Sequence, residues 1–550
     1  MALLGSLTLS AQYSHQIQAE KLDRGVVAVK TDGGVFVSWR SLVSDDKDMT
    51  FDVYRDGVKI NDAPIKNKTN ITDAEGTAAS KYTIKSLLND QISETSSEIT
   101  VWETPYRKVH LNRPEGGKSP AGGTHEQRDY TYTPDDVSVG DVDGDGEWEL
   151  IVKWHPTNAA DNSFYRYTGN TIIDCYKLDG TQLWRIDLGQ NIRSGNHYTQ
   201  FMVYDFDGDG CAEMICKTAP GTIDGKGTAV LMGEDKADAD YRNSTGHILT
   251  GPEYLTVFSG KTGEAIHTIA YNPPRNIHPF DKTTNGWGDS YGGRSERYLA
   301  GVAYLDGKKP SAVFCRGYYT HAYLWAVDFD GKELKERWLH ASTEKGKGAY
   351  GEGAHSLTIG DVDGDGFDEI VYGAACVDHD GSLLYRTGAG HGDALHLTHM
   401  LPDREGLQVF MPHEETSSSY KYDTELRDAK TGEILFFEPQ SGKDIGRGLA
   451  ANISSKYRGY EYWSSTNKVF SNGQELSAKR PSVNFRVYWD GDLLDELLDG
   501  TTVSKPNDAI TKINTLVNFR KSEIFHTLHE ACILEHGCKD SLPRYFWHIA

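Results

Sequence analysis

The chain has 550 residues, which is long enough to bury a large core and to form two domains. Its formal net charge of −23 argues against a nucleic-acid partner, and no stretch reaches the roughly 20 apolar residues that a membrane-spanning helix needs. With 57 glycines, 30 tyrosines and 11 tryptophans but almost no long helical periodicity, the sequence predicts an all-β protein rich in turns.

Residues 1–15 open with an apolar stretch that carries small residues near Ser10 and Ala11. This stretch resembles the end of a secretory signal peptide, although it is short and lacks the basic residues that normally begin one. We interpret it as a partial signal peptide or a disordered start. The interpretation predicts a secreted, periplasmic or cell-surface protein.

Residues 16–106 are predicted to form an N-terminal β-sandwich domain. Residues 35–40 and 51–55 alternate between apolar and polar side chains, and the second segment runs into an Asp56-Gly57 turn. Alternation followed by an Asp-Gly turn is typical of a β-hairpin. The module resembles the fibronectin type, and we expect it to serve as a packing partner or spacer.

Residues 107–517 contain a repeat of strand pairs and glycine turns. Six outer hairpins are recognisable, and they span residues 172–188, 256–270, 324–339, 375–386, 426–438 and 469–476. Four strands per unit, repeated about an axis, indicate a β-propeller. Seven units are recognisable at least in part and one more is expected to close the ring, so we predict an eight-bladed type with an incomplete last blade.

A nine-residue loop of the form D-x-D-G-D-G-x-x-E occurs three times within this repeat. Its acidic residues are Asp141, Asp143, Asp145 and Glu149, then Asp205, Asp207, Asp209 and Glu213, then Asp361, Asp363, Asp365 and Glu369. Four carboxylates in one turn repel each other unless a cation neutralises them, and oxygen ligands in a glycine-rich turn suit Ca²⁺. Apolar strand residues follow each loop directly, so these are not EF-hands. We expect several bound calcium ions, and the plainest role for any one loop is structural.

Residues 518–550 break the pattern, because they contain neither an Asp-Gly turn nor an alternating strand. The segment is interpreted as an aberrant tail, frameshifted or foreign to the rest of the chain. An alternative is a zinc site formed by its histidines and cysteines, namely His526, His529, Cys532 and Cys538.

Several motifs of the chain carry a family resemblance. They include Gly-Glu-Gly-Ala-His at 351–355, Gly-Ala-Gly-His-Gly-Asp-Ala-Leu-His at 388–396, Gly-Arg-Gly at 446–448 and Trp-Asp-Gly-Asp-Leu at 489–493. With residues 22–40 and 138–140, they resemble the rhamnogalacturonan lyases of polysaccharide lyase family eleven over residues 20–515. The resemblance implies a calcium-rich, eight-bladed propeller behind a small β-domain, and cleavage of the rhamnogalacturonan I backbone of pectin.

The resemblance also implies roles for individual residues. His355, His391 and Arg447 correspond to catalytic residues, and both histidines are expected at a central calcium ion. Asp136 is implied as a further metal ligand, while Asp135 and His155 are expected to contact sugar. The implied reaction removes the C5 proton of galacturonate and expels the rhamnosyl oxygen from C4, with calcium on the galacturonate carboxylate.

The chain departs from the family pattern in two regions. Asp135-Asp136 stands where the family shows Asn-Asp, and His155 stands where it shows Asp, which puts sugar preference in doubt. An Asn-Gly-Thr-Lys segment, whose lysine is the proposed base, should follow Leu516 but is missing, as is a later Tyr-Asn-Gln-Pro-Pro-His stretch. This departure predicts a weakly active or inactive, aggregation-prone chain.

The sequence therefore predicts a secreted, monomeric bacterial lyase that cleaves rhamnosyl-(1→4)-galacturonate bonds by calcium-assisted β-elimination. The alternative is a non-catalytic propeller that binds carbohydrate or mediates adhesion in a calcium-dependent way. His355, His391 and Arg447 favour the enzyme, because a propeller used only for adhesion does not need them.

Overall fold

The computed structural model describes residues 17–518, apart from residues 43, 105, 122–125 and 490–491. Within these residues all regular structure is β-strand except one 3₁₀ turn at Arg275–Ile277, which confirms the predicted all-β class. No helix in this part of the chain is long and apolar enough to cross a membrane. The interpretations of residues 1–15 and 519–550 lie outside the described residues.

Eight strands form the N-terminal domain. They are β1 (Val27–Thr31), β2 (Gly34–Ser38), β3 (Thr50–Arg55), β4 (Val58–Lys59), β5 (Asn70–Asp73), β6 (Lys81–Leu88), β7 (Gln91–Thr95) and β8 (Ile99–Trp102). They share one hydrogen-bonded path in the order β4-β3-β6-β8-β1-β2-β5, with β7 beside β6. The predicted turn joins β3 to β4, and Asp56 and Gly57 both have positive φ angles there, of 50° and 79°.

This N-terminal sheet curls until its two halves share one core. Tyr82 of β6 donates a hydrogen bond to Asp73 of β5 at 2.8 Å, although the two strands are far apart in the sheet order. Trp39 and Phe51 meet edge to face with ring centroids 5.3 Å apart. The curl buries apolar side chains from both halves, and the fibronectin-type likeness stays a prediction.

A connecting segment links the two parts of the chain. Its short strands β9 (Gly117–Ser119) and β10 (Arg128–Tyr130) pair with each other. Seven four-stranded sheets follow. Sheet I contains β11 (Tyr132–Gly140), β12 (Glu149–Pro156), β13 (Ile172–Tyr176) and β14 (Gln182–Asp187); sheet II contains β15 (Phe201–Tyr204), β16 (Glu213–Thr218), β17 (Tyr254–Phe258) and β18 (Ala265–Ala270).

The remaining sheets repeat this plan. Sheet III contains β19 (Tyr298–Ala303), β20 (Ser311–Arg316), β21 (Ala322–Phe329) and β22 (Leu334–Ser342); sheet IV contains β23 (Thr358–Gly360), β24 (Glu369–Tyr372), β25 (Ala375–Val377) and β26 (Leu383–Arg386). Sheet V contains β27 (His396–Thr398), β28 (Gln408–Pro412), β29 (Tyr422–Asp428) and β30 (Ile434–Pro439). Sheet VI contains β31 (Gly448–Ala451), β32 (Glu461–Ser464), β33 (Val469–Ser471) and β34 (Gln474–Glu475); sheet VII contains β35 (Phe485–Val487), β36 (Glu496–Asp499), β37 (Thr502–Pro506) and β38 (Ile513–Asn518).

The sheets stack face to face in chain order. Each is antiparallel with its strands in sequence order, and the six predicted outer hairpins are confirmed as third and fourth strands. Buried apolar residues fill the space between each sheet and the next, as Ile151 and Met214 do between sheets I and II. In the connecting segment, Tyr106 packs against sheet VII and Val109 against sheet I.

The strand order gives the repeated region two ends with different contents. The loop between the first and second strands of every sheet lies at one end, called here the loop end. Residues that precede a first strand or follow a second strand lie at the other, called the cleft end. The acidic loops therefore lie opposite the segments that carry His355, His391 and Arg447.

The N-terminal domain docks at the loop end. Asp23 N donates to Gly146 O at 3.1 Å, and the Arg40 guanidinium lies 4.0 Å from the ring centroid of Trp148. The Gln18 side chain donates to Phe206 O at 3.2 Å, within the second acidic loop. The domain thus covers two acidic loops and leaves the cleft end uncovered.

Candidate active site and metal-binding loops

Four ligand-type side chains from two successive sheets meet at the cleft end. His355 precedes the first strand of sheet IV, His391 and Asp393 precede that of sheet V, and Glu414 follows the second strand of sheet V. One side-chain donor atom from each of the four residues lies within 4.8 Å of the others. We call these four residues the axial cluster. It brings the two predicted histidines together, with ring centroids 4.9 Å apart.

Backbone contacts hold the two histidine segments side by side. Ala354 and Gly392 form a parallel bridge, and His355 N donates to Gly392 O at 3.1 Å. A Cβ at Gly392 would clash with the carbonyl oxygen of Pro412. The glycine that follows His391 in the motif is therefore required by this close backbone approach.

Hydrogen bonding orients the His391 ring. Nδ1 donates to the carbonyl oxygen of Gly353 at 2.5 Å, which leaves the lone pair on Nε2. Nε2 is buried, has no hydrogen-bond partner among the described residues and lies 3.3 Å from Glu414 Oε2. Burial lowers the pKa of His391 to about 4, so the ring is neutral near pH 7. A neutral imidazole fixed through its other nitrogen is the usual form of a metal ligand.

His355 lies between two tyrosines and a carboxylate. Its Nε2 is 2.9 Å from the hydroxyl of Tyr319 and 3.3 Å from Asp393 Oδ1, while Nδ1 is 3.4 Å from the hydroxyl of Tyr318. Burial and the neighbouring His391 lower the pKa of His355 to about 4. Both histidine rings are therefore uncharged at neutral pH and can offer a nitrogen lone pair to a metal ion.

Among the residues that the structure describes, the carboxylates of the axial cluster have one ion pair with an arginine or lysine, and it is a long one. Burial and the nearby Glu414 raise the pKa of Asp393 to about 6. Arg447 approaches from sheet VI, with Nε 3.8 Å from Asp393 Oδ2, but 59% of its side chain remains exposed. The exposed guanidinium beside the cluster is well placed for a carboxylate ligand.

Sheet I supplies another part of the cleft through a β-bulge. The pairing of β11 with β12 shifts between Pro134 and Val137, so that Asp135 and Asp136 both face Lys153. The Lys153 ammonium lies 3.1 Å from Asp135 Oδ2 and forms a closer ion pair with Asp136. Asp136 is thus paired with a lysine rather than grouped with the acidic loops.

The second predicted sugar contact adjoins the same bulge. His155 Nδ1 is 3.6 Å from Asp135 Oδ2, and the two side chains are 21% and 26% exposed. The predicted sugar contacts therefore adjoin each other at the cleft end. Their contact with a substrate stays a prediction.

Three polar residues that belong to none of the sequence motifs, Asp161, Arg297 and His197, link sheet I to the axial cluster. Asp161 Oδ2 lies 3.0 Å from Arg297 Nη2 and 3.7 Å from His197 Nε2, and His197 lies 5.6 Å from His355 between ring centroids. Burial, then Arg297 and His355, lower the pKa of His197 to about 3. Sequence analysis missed these residues, and Tyr319, because they come from separate inter-strand segments with no shared spacing.

The acidic loops are organised by their own backbone. Asp141 accepts hydrogen bonds from Gly144 N at 2.7 Å and Gly146 N at 2.8 Å, and Glu149 accepts from Val142 N at 2.9 Å. The other two copies repeat this pattern. The carboxylates that gather within 4.8 Å are Asp141, Asp143 and Glu149; Asp205, Asp207 and Glu213; and Asp361, Asp363 and Asp365.

The last glutamate of each loop is buried, where an ionised carboxylate without a cation is unfavourable. Burial, with added repulsion from the loop aspartates, raises the pKa of Glu149 to about 7 and those of Glu213 and Glu369 to about 9. The ionised loops therefore need a cation.

The donor sets of the loops and the cluster differ. Loop donors are carboxylate oxygens, and the buried Asp143 Oδ1 has no hydrogen-bond partner within the described part of the chain. Such a set fits Ca²⁺, which takes six to eight oxygen ligands. The axial cluster offers two imidazole nitrogens and two carboxylates, a set that fits a divalent cation.

These features define an all-β protein with candidate metal sites at both ends of its repeated region, and the comparisons with known proteins identify its family. Residues 106–527 match the model described as "Rhamnogalacturonan lyase family 11, C-terminal domain". Residues 17–102 match "Rhamnogalacturonan I lyases beta-sheet domain". The chain belongs to rhamnogalacturonan lyase family 11, which confirms the predicted family and the prediction of a lyase.

Two curated relatives come from Bacillus subtilis (strain 168). The chain is 50% identical over 490 residues to the rhamnogalacturonan endolyase YesW, covering 89% of this chain and 76% of that protein. It is 51% identical over 493 residues to the rhamnogalacturonan exolyase YesX, covering 88% and 78%.

Solved structures agree with these relatives. The crystal structure of YesW superposes with a TM-score of 0.84 at 47% identity, covering 92% of this chain and 85% of that one. The rhamnogalacturonan lyase PL11 of Bacillus licheniformis gives 0.84 and 47%, covering 93% and 86%.

Proposed function

We propose that the protein is a secreted bacterial rhamnogalacturonan lyase that cleaves rhamnosyl-(1→4)-galacturonate bonds of rhamnogalacturonan I by β-elimination. The observation that carries the proposal is the axial cluster, which combines two neutral imidazoles, one buried and one partly exposed, with two carboxylates beside an exposed arginine. Elimination next to a uronate requires these features: a site for the carboxylate and a positive charge for the enolate-like state.

The residues of the cleft would have different roles, which follow from their positions. His355, His391, Asp393 and Glu414 would hold the cation, and the Gly353 carbonyl keeps the His391 Nε2 lone pair directed at it. A bound divalent cation would neutralise the galacturonate carboxylate and make the C5 proton more acidic.

Two further positions would contact the substrate. Arg447 would pair with the same carboxylate, where its exposed guanidinium stabilises the negative charge that develops after proton removal. Asp135 and His155 would accept hydrogen bonds from sugar hydroxyls at the sheet I side of the cleft.

Calcium is our proposal for the acidic loops and the first candidate for the axial cluster. Loop calcium would have a structural role, since the loop end lies opposite the cleft end and faces the N-terminal domain. Calcium at the cluster would act on the substrate directly.

Four finer sequence predictions remain part of the proposal. They are an eight-bladed ring, supported by seven consecutive four-stranded sheets, a fibronectin-type N-terminal domain, a monomeric state and export from the cell. The missing Asn-Gly-Thr-Lys segment adds a fifth, namely weak activity of this chain. Replacing residues 517–550 with a final segment that contains this motif should raise turnover on the same substrate, and equal, robust turnover would show that another group is the base.

The test of function is an assay on purified rhamnogalacturonan I. Product is measured by the ultraviolet absorbance of its unsaturated galacturonate end, for the wild-type chain and for Arg447→Ala. We expect product from the wild type, loss of product in metal-free protein, and recovery on adding Ca²⁺. Arg447→Ala should bind the polysaccharide more weakly than the wild type and cleave it more slowly. Binding of the polysaccharide without any unsaturated product would support the non-catalytic alternative.

A further inference from the structure

Two neighbouring aromatic side chains are exposed at the cleft end. In the part of the chain that the structure describes, three aromatic side chains are exposed, namely Phe164 at 53%, Tyr165 at 46% and Phe437 at 48%. Phe164 and Tyr165 follow the second strand of sheet I, whereas Phe437 lies on the fourth strand of sheet V. We call Phe164, Tyr165 and Arg166 the aromatic platform. Adjacent exposed apolar side chains on a folded surface are typical of a binding site.

A buried arginine fixes the backbone of the platform. Arg193 is 5% exposed, and its Nη2 donates to the carbonyl oxygens of Asp161 at 3.1 Å and Phe164 at 2.9 Å. Its Nη1 donates to the carbonyl oxygens of Arg166 at 2.9 Å and Gly246 at 2.7 Å. A Cβ added at Gly246 would lie 2.3 Å from the Arg166 carbonyl oxygen, so the two segments touch through their backbones. The platform is therefore ordered before a ligand arrives, which lowers the entropy cost of binding.

Side-chain contacts orient the two rings without burying them. The Tyr165 ring packs edge to face on His247, with ring centroids 5.3 Å apart. His247 is buried, and its Nε2 lies 2.8 Å from the carbonyl oxygen of Asn162. The Arg166 guanidinium lies 5.2 Å from the ring centroid of Phe164. About half of each aromatic side chain remains available to a ligand.

The platform also carries a cation that pairs with no carboxylate among the described residues. Arg166 Nη2 donates to the carbonyl oxygen of Ala159 at 3.3 Å, and its buried Nε has no hydrogen-bond partner in this part of the chain. Burial and the neighbouring Arg128 cation lower the pKa of Arg166 from its usual value. In a protein with a net charge of −23, such a guanidinium is suited to a carboxylate that a ligand brings.

The platform segment leads into the cleft. Phe164 N donates to the carbonyl oxygen of Asp161 at 3.0 Å, which closes a turn between the two residues. The Asp161 side chain contacts Arg297 and His197, and His197 adjoins His355 of the axial cluster. A polysaccharide that occupies the axial cluster can therefore extend along sheet I to the platform without leaving the cleft end.

The chemistry of the platform matches both sugars of rhamnogalacturonan I. The face of an aromatic ring is electron-rich and attracts the weakly positive C–H bonds on the apolar face of a sugar. Rhamnose adds a methyl group to this apolar surface. Galacturonate supplies a carboxylate, which a guanidinium such as that of Arg166 can bind through two N–H groups.

We propose that the aromatic platform is a distal subsite for the rhamnogalacturonan chain, where Phe164 and Tyr165 stack on rhamnose and Arg166 pairs with the carboxylate of an adjacent galacturonate. The proposal rests on the proposed function and extends it to sugars beyond the reacting bond. Contacts so far from the reacting bond are the same in the ground state and the transition state, so they act on KM rather than on kcat.

The first test measures binding separately from cleavage. All proteins carry His391→Ala, which slows cleavage of the ligand, and their affinity for rhamnogalacturonan I polymer is measured by affinity electrophoresis with Ca²⁺ present. We expect Phe164→Ala and Tyr165→Ala each to weaken binding about 10-fold, as loss of an aromatic anchor does at other interfaces. Phe164→Trp should keep the parent affinity, because it retains a ring. The matched control is Phe437→Ala, at a similarly exposed ring of sheet V, which should bind as the parent does.

The second test measures kinetics with His391 in place. Phe164→Ala should raise KM for the polymer by a similar factor, with a much smaller effect on a short rhamnogalacturonan oligosaccharide that fills the axial cluster alone. A thermal melt checks that each variant is folded. An equal rise in KM for the polymer and the short oligosaccharide would contradict a separate subsite.

Equal polymer affinity of the parent, Phe164→Ala and Tyr165→Ala proteins would overturn the proposal. So would a wild-type dimer, detected by light scattering, that Phe164→Ala dissociates without changing polymer affinity, because a second copy of the chain would then cover the platform. Weaker polymer binding by the platform variants, together with no unsaturated product from the wild type, would refute the proposed cleavage but support the subsite.

Discussion

At the scale of single residues, the chemistry of the cleft depends on a neutral histidine, His391, whose ring is oriented by a backbone carbonyl. His391 is 2% exposed, and its Nδ1 donates a hydrogen bond to the Gly353 carbonyl oxygen. The ring is therefore oriented with Nε2 facing Glu414. Burial keeps the ring neutral because a buried imidazolium would be poorly solvated. A residue so placed is expected to matter for activity more than for folding.

We therefore expect His391→Ala to reduce kcat/KM on rhamnogalacturonan I by about 100-fold or more, since metal sites lose up to that factor when merely a supporting group is removed. The reason is the loss of a donor from the axial cluster. Product absorbance measures activity, and a thermal melt checks the fold. The control is His399→Ala, at an exposed histidine whose Nε2 lies 2.7 Å from the Arg404 carbonyl oxygen. Wild-type turnover in His391→Ala would reduce this histidine to a packing role.

At the scale of structural elements, the acidic loop is the unit that repeats, and its titration should be visible in stability. A carboxyl with a folded pKa above its unfolded value binds more protons when folded, so stability falls as pH rises between the two values. Glu213 and Glu369 have folded pKa values of about 9, raised by burial and by loop aspartates, against an unfolded value of about 4.3.

Metal-free protein should thus lose stability as pH rises from about 7 to about 9, a window in which unfolded histidines are already neutral. Saturating Ca²⁺ should raise the melting temperature and flatten this dependence, because the ion stabilises the ionised loops. Thermal melts of chelator-treated protein, with and without added Ca²⁺, measure both effects. A melting temperature that is unchanged by Ca²⁺ across this range would contradict a structural calcium role.

A second element-scale feature is a buried charge network between sheets II and III. Glu253 lies 2.7 Å from Arg275, and 2.8 Å from both Arg316 and Lys217. Burial alone would raise the pKa of Glu253, but Arg275, Arg316 and Lys217 together hold it well below its usual range. Three cations share this carboxylate and that of Glu296.

Glu253→Gln should lower the free energy of unfolding by about 3–5 kcal/mol, because three buried cations then share the single carboxylate of Glu296. Chemical denaturation measures the change. Glu264→Gln, at an exposed position of the adjacent hairpin, should stay within about 0.5 kcal/mol of the wild type. Equal effects of the two substitutions would show that the network contributes little.

At the scale of the whole molecule, structural and catalytic groups occupy opposite ends. The N-terminal domain contacts the loop end through Asp23, Arg40 and Gln18, and the axial cluster lies at the cleft end. The arrangement separates domain docking from chemistry. Substitutions in the interface should therefore change stability without changing turnover.

Arg40→Ala tests this separation, since it removes a guanidinium stacked 4.0 Å from the Trp148 ring. We expect the free energy of docking between the N-terminal domain and the loop end to weaken by about 0.5–2 kcal/mol. Proteolysis between the domains should become faster, and kcat should stay unchanged. The matched control is Arg55→Ala, whose partners Asp73 and Glu75 both lie within the N-terminal domain. If Arg40→Ala lowers kcat while Arg55→Ala does not, the two ends are coupled.

The sequence by itself determined the features whose interactions are local. Each acidic loop has its aspartates, glycines and glutamate within nine residues, and each outer hairpin has its turn between its strands, so short-range patterns were enough to predict them. The predicted all-β class follows from the same turns and alternation. The family motifs also marked His355, His391 and Arg447, but without their partners.

Tertiary structure decided what these residues face. Asp393 and Glu414 join the histidines only because sheets IV and V are neighbours, and no spacing in the chain signals that meeting. Likewise Lys177 and His379 reach loops of identical pattern from a different strand, through cross-strand register. The physical reason is that strand pairing and sheet stacking join residues distant in sequence, whereas a sequence pattern reports only near neighbours.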